Sequence, residues 1–177
     1  PWAPARPAAA AVPPKPAGPP PELAGGDSGR GEALFFGEKA KCSVCHTLRG
    51  KGGKAGPDLS NLVQRDAASV LRDIVEPSAA INPDYVPYTL VLRDGRVLTG
   101  LARAEGADAV RVADVNAKET VVRRADIAEL HPESASIMPA DLTEVVGEAA
   151  IKDLLVYLLA EPPTPTAPTA QPDETGK

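Results

Sequence analysis

Cys42-Ser43-Val44-Cys45-His46 constrains this chain more than any other stretch, because it places two thiols and an imidazole at the spacing that attaches and ligates a c-type haem. Thioether bonds from Cys42 and Cys45 to the vinyl groups would fix the porphyrin edge, and His46 would lie under the iron as proximal ligand. Two other chemistries use the same residue types. A thioredoxin-like redox pair needs its Cys-x-x-Cys at the start of a helix after a strand, within a βαβ pattern, and no such pattern precedes Cys42. A zinc site is formally available, since the chain has two cysteines and two histidines and Cys42, Cys45, His46 and His131 complete a Cys2His2 set. Adjacent Cys45 and His46 would then have to converge on one small ion, outside the usual ligand spacings. Haem removes that conflict, since the cysteines bind the ring and only the histidine binds iron.

Apolar residues make up 43% of the chain and aromatics only 3%, so the core is filled by Leu, Val and Ala or by a bulky apolar group from outside, such as a porphyrin. A net charge of −5 and a pI near 5.1 argue against a nucleic-acid surface, which needs clustered positive charge. No apolar run approaches the ~20 residues of a membrane span, the longest candidate being Leu154 to Ala160, so no membrane insertion is expected. The chain begins at Pro1 without an initiator methionine or signal peptide, which reads as a processed start or a boundary within a longer protein.

Prolines divide the chain. Pro1 to Pro21 is Pro/Ala-rich, a composition that favours an extended spacer, and a linker is expected over residues 1–25. A Pro/Thr-rich tail over 162–177 has the same character, and only Pro57, Pro77, Pro83, Pro87, Pro132 and Pro139 lie between. The folded unit is expected over 26–161, with Trp2 a stray aromatic in the linker. Ser28 to Lys41 reads as a helix capped by Ser28 and delivering the chain to Cys42. Gly50 to Pro57 is too glycine-rich for regular structure, and Asp58 to Leu62 is a short turn or helix. Asp66 caps a second helix with Val70, Leu71, Ile74 and Val75 on one face, stopped by Glu76-Pro77.

From Tyr85 the period changes to that of strands. Thr89–Leu92 and Val97–Leu101 flank Asp94-Gly95 as a hairpin, Ala109–Ala113 and Glu119–Arg123 flank a turn at Asn116-Ala117, and Ile127–Leu130 adds a short fifth strand. An antiparallel β-meander is therefore inserted at about 85–131 in a mainly α chain, α+β as a whole. It shows no cluster of catalytic residue types and reads as a structural flap or partner surface. A last helix carries Ala149, Ala150, Leu154, Leu155, Tyr157 and Leu158 and stops at Glu161-Pro162.

Met138 is the sole methionine and sits in a loop beside Pro139, where its thioether is available to complete a six-coordinate His/Met iron. His131 is the alternative, giving a bis-His iron, and an open face is the third option. Methionine coordination raises the reduction potential and blocks substrate access, which favours electron transfer over chemistry on a bound small molecule.

With these residues in view, Gly31-x-x-x-Phe35, Cys42-x-x-Cys45-His46, Gly56-Pro57-Asp58-Leu59, Met138-Pro139 and Leu154-x-x-Tyr157 resemble class I cytochrome c. The resemblance implies a cytochrome c fold in which Gly31 and Phe35 of the first helix cross Leu154 and Tyr157 of the last. It also implies that the Pro57 carbonyl orients His46, and that Cys42, Cys45, His46, Pro57, Leu59 and Met138 surround one covalent haem c. Adding Glu76-Pro77-Ser78 and Asp94-Gly95-Arg96-Val97-Leu98-Thr99-Gly100, the chain is similar to the haem-binding domain of large secreted planctomycete and verrucomicrobial proteins. There the domain often follows a β-propeller resembling sugar dehydrogenases. The insertion departs from ordinary class I cytochromes. The likeness implies a periplasmic or extracellular location and electron transfer from a fused or docked dehydrogenase. Lys39, Lys41, Lys51 and Lys54 around the motif read either as a ring that steers an acidic partner or as a solvated surface, and Arg65 either as a haem-propionate partner or as a plain surface arginine. A haem enzyme or sensor with an open or His131-ligated distal site, and a zinc-stapled binding module, are the competing functions.

Overall fold

Asp27 starts the first helix, its carboxylate accepting a hydrogen bond from the Arg30 amide at 2.7 Å, and α1 spans Ser28–Phe36. A computed structural model describes residues 20–161; Trp2, most of the expected linker and the 162–177 tail lie outside the described residues. The cap is thus Asp27 and not Ser28, a carboxylate being favoured among the free amides of a helix start. The helix also ends at Phe36 and not at Lys41. Gly37 leaves the helical region and donates its amide to the Leu34 carbonyl, while Lys41 adopts a left-handed conformation with φ 52°. Upstream, a 3₁₀ turn over Pro21–Leu23 plants Leu23, 4% exposed, in the core, so this part of the expected linker is packed.

One helical turn, α2 (Cys42–Cys45), carries the thiols. The glycine-rich stretch behind it is more ordered than expected: β1 (Thr47–Leu48) and β2 (Lys51–Gly52) form a small antiparallel ladder, and the Gly53 amide donates to the Ser43 carbonyl at 2.7 Å. A 3₁₀ turn at Leu62–Gln64 leads to α3 (Ala67–Val75), capped by Asp66 and stopped before Pro77 as its sequence predicts. Its Ala67, Val70 and Ile74 are buried.

The inserted strands are β3 (Pro87–Leu92), β4 (Val97–Glu105), β5 (Ala109–Ala113), β6 (Glu119–Arg123) and β7 (Ile127–Pro132), all antiparallel in the order β6-β5-β4-β3-β7. The first four are a meander. The fifth returns to the far side of β3, so that Leu130 pairs with Leu90 and Ile127 with Leu92. Leu90, Leu92, Val110, Val112 and Val122 make a core of the sheet's own, separate from the helical one. Two further helices follow: α4 (Leu142–Val146), which the sequence reading missed, and α5 (Glu148–Leu159).

The crossing of α1 and α5 holds the helical core together. A Cβ built on Gly31 would stand 2.1 Å from the Asp153 carbonyl oxygen and 2.7 Å from Tyr157 Cβ, so only glycine fits there. Phe35, fully buried, fills the space beside it with its ring centroid 5.9 Å from that of Tyr157, and Leu154 is 1% exposed. Burying one such ring contributes about 1.5–3 kcal/mol. The buried Asp153 carboxylate accepts from the Asp27 amide at 2.7 Å and from Arg30 Nε and Nη2 at 2.6 and 2.9 Å, locking the start of α1 onto α5.

Candidate functional site

The one-turn α2 presents Cys42 and Cys45 three residues apart on a helical turn, half-buried, unpaired with each other, and followed at once by His46. Such a turn sets both sulfurs toward one side of the backbone. Burial pushes the Cys42 thiol up to about 11 and also raises Cys45, to which the negative charge of Asp114 adds. Both are therefore protonated thiols at neutral pH, not activated thiolates of a redox pair.

His46 is oriented by the chain that follows it. Its Nδ1 lies 2.9 Å from the Pro57 carbonyl oxygen, and because a carbonyl only accepts, Nδ1 carries the proton and Nε2 keeps its lone pair. Burial lowers the His46 pKa, with the Pro57 bond opposing it, so the neutral ring of a metal ligand is favoured. The Gly56 amide donates to the Cys45 carbonyl at 2.8 Å, and a Cβ on Gly56 would meet His46 Cε1 at 2.9 Å and Nδ1 at 3.0 Å. The glycine therefore lets the turn close on the imidazole. The donor set fits a covalently attached haem: two free thiols for the ring, one neutral imidazole nitrogen for iron, and apolar surroundings. Cys42, Leu59 and Met138 all pack, half-buried, against the helical core cluster. Met138 lies in the turn between β7 and α4, its amide donating to Ser136 Oγ at 3.2 Å.

Other expected residues are placed differently. His131 is exposed on β7, 2.8 Å from the Glu129 carboxylate, and among the described residues no three His, Cys, Asp or Glu side chains gather as a metal cage. The Cys42, Cys45, His46 and His131 zinc set is thus not assembled. Arg65 pairs with Asp73 at 2.5 Å, which engages the guanidinium expected at a propionate. Lys39, Lys41, Lys51 and Lys54 are all exposed, Lys41 lying 3.5 Å from Glu38.

Two arginines escaped the sequence reading. Arg49 Nη2 donates to the carbonyls of Tyr157 and Ala160, and its guanidinium lies 5.1 Å from the Tyr157 ring centroid, so it ties the segment after His46 to the end of α5. Arg103, on β4, reaches the Ala55 carbonyl at 3.2 Å. The unpaired carbonyls at a helix end are a general hint that a donor is needed, but no local signal names residues this far away in sequence.

Two free thiols on one turn and a carbonyl-held imidazole behind them fit the donor set of a covalent haem-attachment site of the c type. The Cytochrome c family model matches residues 28–92, which supports a c-type cytochrome haem-binding domain, and such a domain implies a covalently bound haem c. No curated protein matches the chain. The family match stops at Leu92, the end of β3, so Met138 and α5 lie beyond it. The domain combines helices with a five-stranded antiparallel sheet, and among the described residues no helix is long and apolar enough to cross a membrane.

Proposed function

We propose that this chain is a single-haem electron-transfer module, cycling one electron at a His46/Met138-ligated iron and carrying no catalysis of its own. The observation that carries the reading is the 2.9 Å contact of His46 Nδ1 with the Pro57 carbonyl, beside two free thiols, because it leaves one imidazole nitrogen directed by a fixed backbone. When bound, the haem supplies a one-electron Fe(III)/Fe(II) couple. Cys42 and Cys45 anchor the ring, Pro57 fixes the tautomer of His46, and Leu59 supplies apolar wall. Met138 supplies the thioether, supported by its place against the same core as Cys42 and Leu59.

The partner is a dehydrogenase, fused or docked, with the exposed Lys39, Lys41, Lys51 and Lys54 meeting its acidic surface. The inserted sheet supports the likeness to the planctomycete and verrucomicrobial type, and a Pro/Ala-rich tether fits a haem held near a catalytic domain. Cytochrome c domains are typically extracytoplasmic, which favours the periplasm or the cell exterior. The test is a redox titration followed in the visible spectrum, on wild type and Met138→Ala produced in a host that attaches haem c. The wild type should show a reversible one-electron change and a thioether-to-iron charge-transfer band that Met138→Ala lacks. A wild type without that band at neutral pH overturns the methionine assignment, and one that binds exogenous ligands freely favours the enzyme or sensor reading.

A further inference from the structure

The inserted sheet touches the haem-attachment loop at a point that bears on the proximal ligand. Arg103 lies on β4, where it pairs across the sheet with Arg111, and its side chain leaves the sheet toward the helical part of the molecule. Its Nη2 donates to the Ala55 carbonyl at 3.2 Å, and its guanidinium carbon sits 4.9 Å from the ring centroid of Tyr85, which belongs to the 3₁₀ turn Pro83–Tyr85 leading into β3. Tyr85 and Ala55 together fix the guanidinium plane. Ala55 is followed by Gly56, whose amide holds the Cys45 carbonyl and whose Cα faces the His46 ring, and then by Pro57, whose carbonyl takes the His46 proton. The contact of Arg103 with Ala55 comes from a strand that the helical part of the domain does not contain.

We propose that the inserted sheet is a positioning element for the proximal ligand, with Arg103 clamping the Ala55–Pro57 turn onto His46 and thereby setting the strength of the Nδ1–H···O bond to Pro57. A tighter bond gives the imidazole more anionic character and favours ferric iron, so the clamp lowers the reduction potential. Arg103 acts through the turn, its hydrogen bond going to the Ala55 carbonyl and not to His46. This rests on the haem reading given above and gives the sheet a role in that same site.

The test uses the full haem-loaded chain as wild type, Arg103→Ala, Arg103→Lys, Tyr85→Leu and the control Arg123→Ala, whose guanidinium pairs with Asp126 elsewhere on the sheet. Two readouts are taken: solvent exchange of the His46 Nδ1 proton by NMR, and the midpoint potential. Arg103→Ala should exchange that proton about fivefold faster, the factor carried by one ordinary hydrogen bond, and raise the potential. Arg103→Lys and Tyr85→Leu should move both in the same direction by less, and Arg123→Ala should move neither. Unchanged exchange and potential in Arg103→Ala, or equal changes in Arg123→Ala, overturn the proposal. Should Arg103→Ala fail to fold, the other two variants decide, and wild-type values in both overturn it. A wild type that takes up no haem removes the underlying reading and the proposal together, whereas a haem-loaded protein indifferent to Arg103 removes the proposal alone.

Discussion

Gly31 and Asp153 approach until a Cβ at Gly31 would stand 2.1 Å from the Asp153 carbonyl oxygen, and this contact brings α1 and α5 together behind the attachment loop. The obstacle is backbone, which cannot swing aside as a side chain does. Gly31→Ala should therefore force the helices apart and destabilise the fold by about 3 kcal/mol, the upper part of the range for overpacked sites. Urea unfolding followed by circular dichroism measures it, and an unchanged midpoint would show that the crossing tolerates a methyl group.

The same pair of helices is joined by a titratable contact. The hydrogen bond from Arg30 holds the Asp153 carboxyl below the ordinary carboxylate range. Its native pKa lies below its unfolded one, so this contribution to stability is complete above the ordinary carboxylate pKa of about 4 and is lost as pH falls through the lowered native value. Asp153→Asn should be less stable than wild type at pH 7, and the difference should shrink toward about pH 3. Unfolding midpoints of the two proteins across that range check the sign, and a gap that widens on acidification would contradict it.

Gly56 lies so close to His46 that a Cβ there would stand 2.9 Å from Cε1 and 3.0 Å from Nδ1 of the ring. Gly56→Ala should push the imidazole off the Pro57 carbonyl, weakening the bond from Nδ1 and raising the reduction potential while the cysteines still hold the ring. A spectroelectrochemical titration reads the change. An unaltered potential would mean that the ring is held by something other than this turn.

Arg49 joins the segment after the attachment motif to the last turn of α5 through the Tyr157 and Ala160 carbonyls. Arg49→Ala should leave those carbonyls without their cationic donor and cost about 2 kcal/mol. Faster amide exchange across the end of α5 should accompany the loss, and retention of wild-type protection there would show that the tie is dispensable.

Much of this was legible because local chemistry announced it. Cys42, Cys45 and His46 occupy fixed offsets, Asp66 and Glu76-Pro77 bracket α3, and alternating apolar residues mark the strands. The resemblance to class I cytochrome c carried the longer relationships, Gly31 with Tyr157 and Pro57 with His46, and the structure bears these two out. What escaped depends on distant partners. Nothing near Ile127 says that β7 pairs with β3, since that register is chosen by Leu90 and Leu92. The early end of α1 at Phe36 follows from the turn that must aim α2, which overrides the helical pattern running to Lys41. Arg65, which reads from sequence as a propionate partner or a plain surface arginine, meets Asp73 eight residues on in α3, an ion pair that local sequence does not announce.

The most direct test of the account is the intact mass of the denatured protein, produced in a host that attaches haem c, with Cys42→Ala/Cys45→Ala alongside. One haem should remain covalently bound to the wild type and none to the double variant. A wild-type mass equal to that of the polypeptide alone, or zinc in place of haem, would contradict the account at its centre.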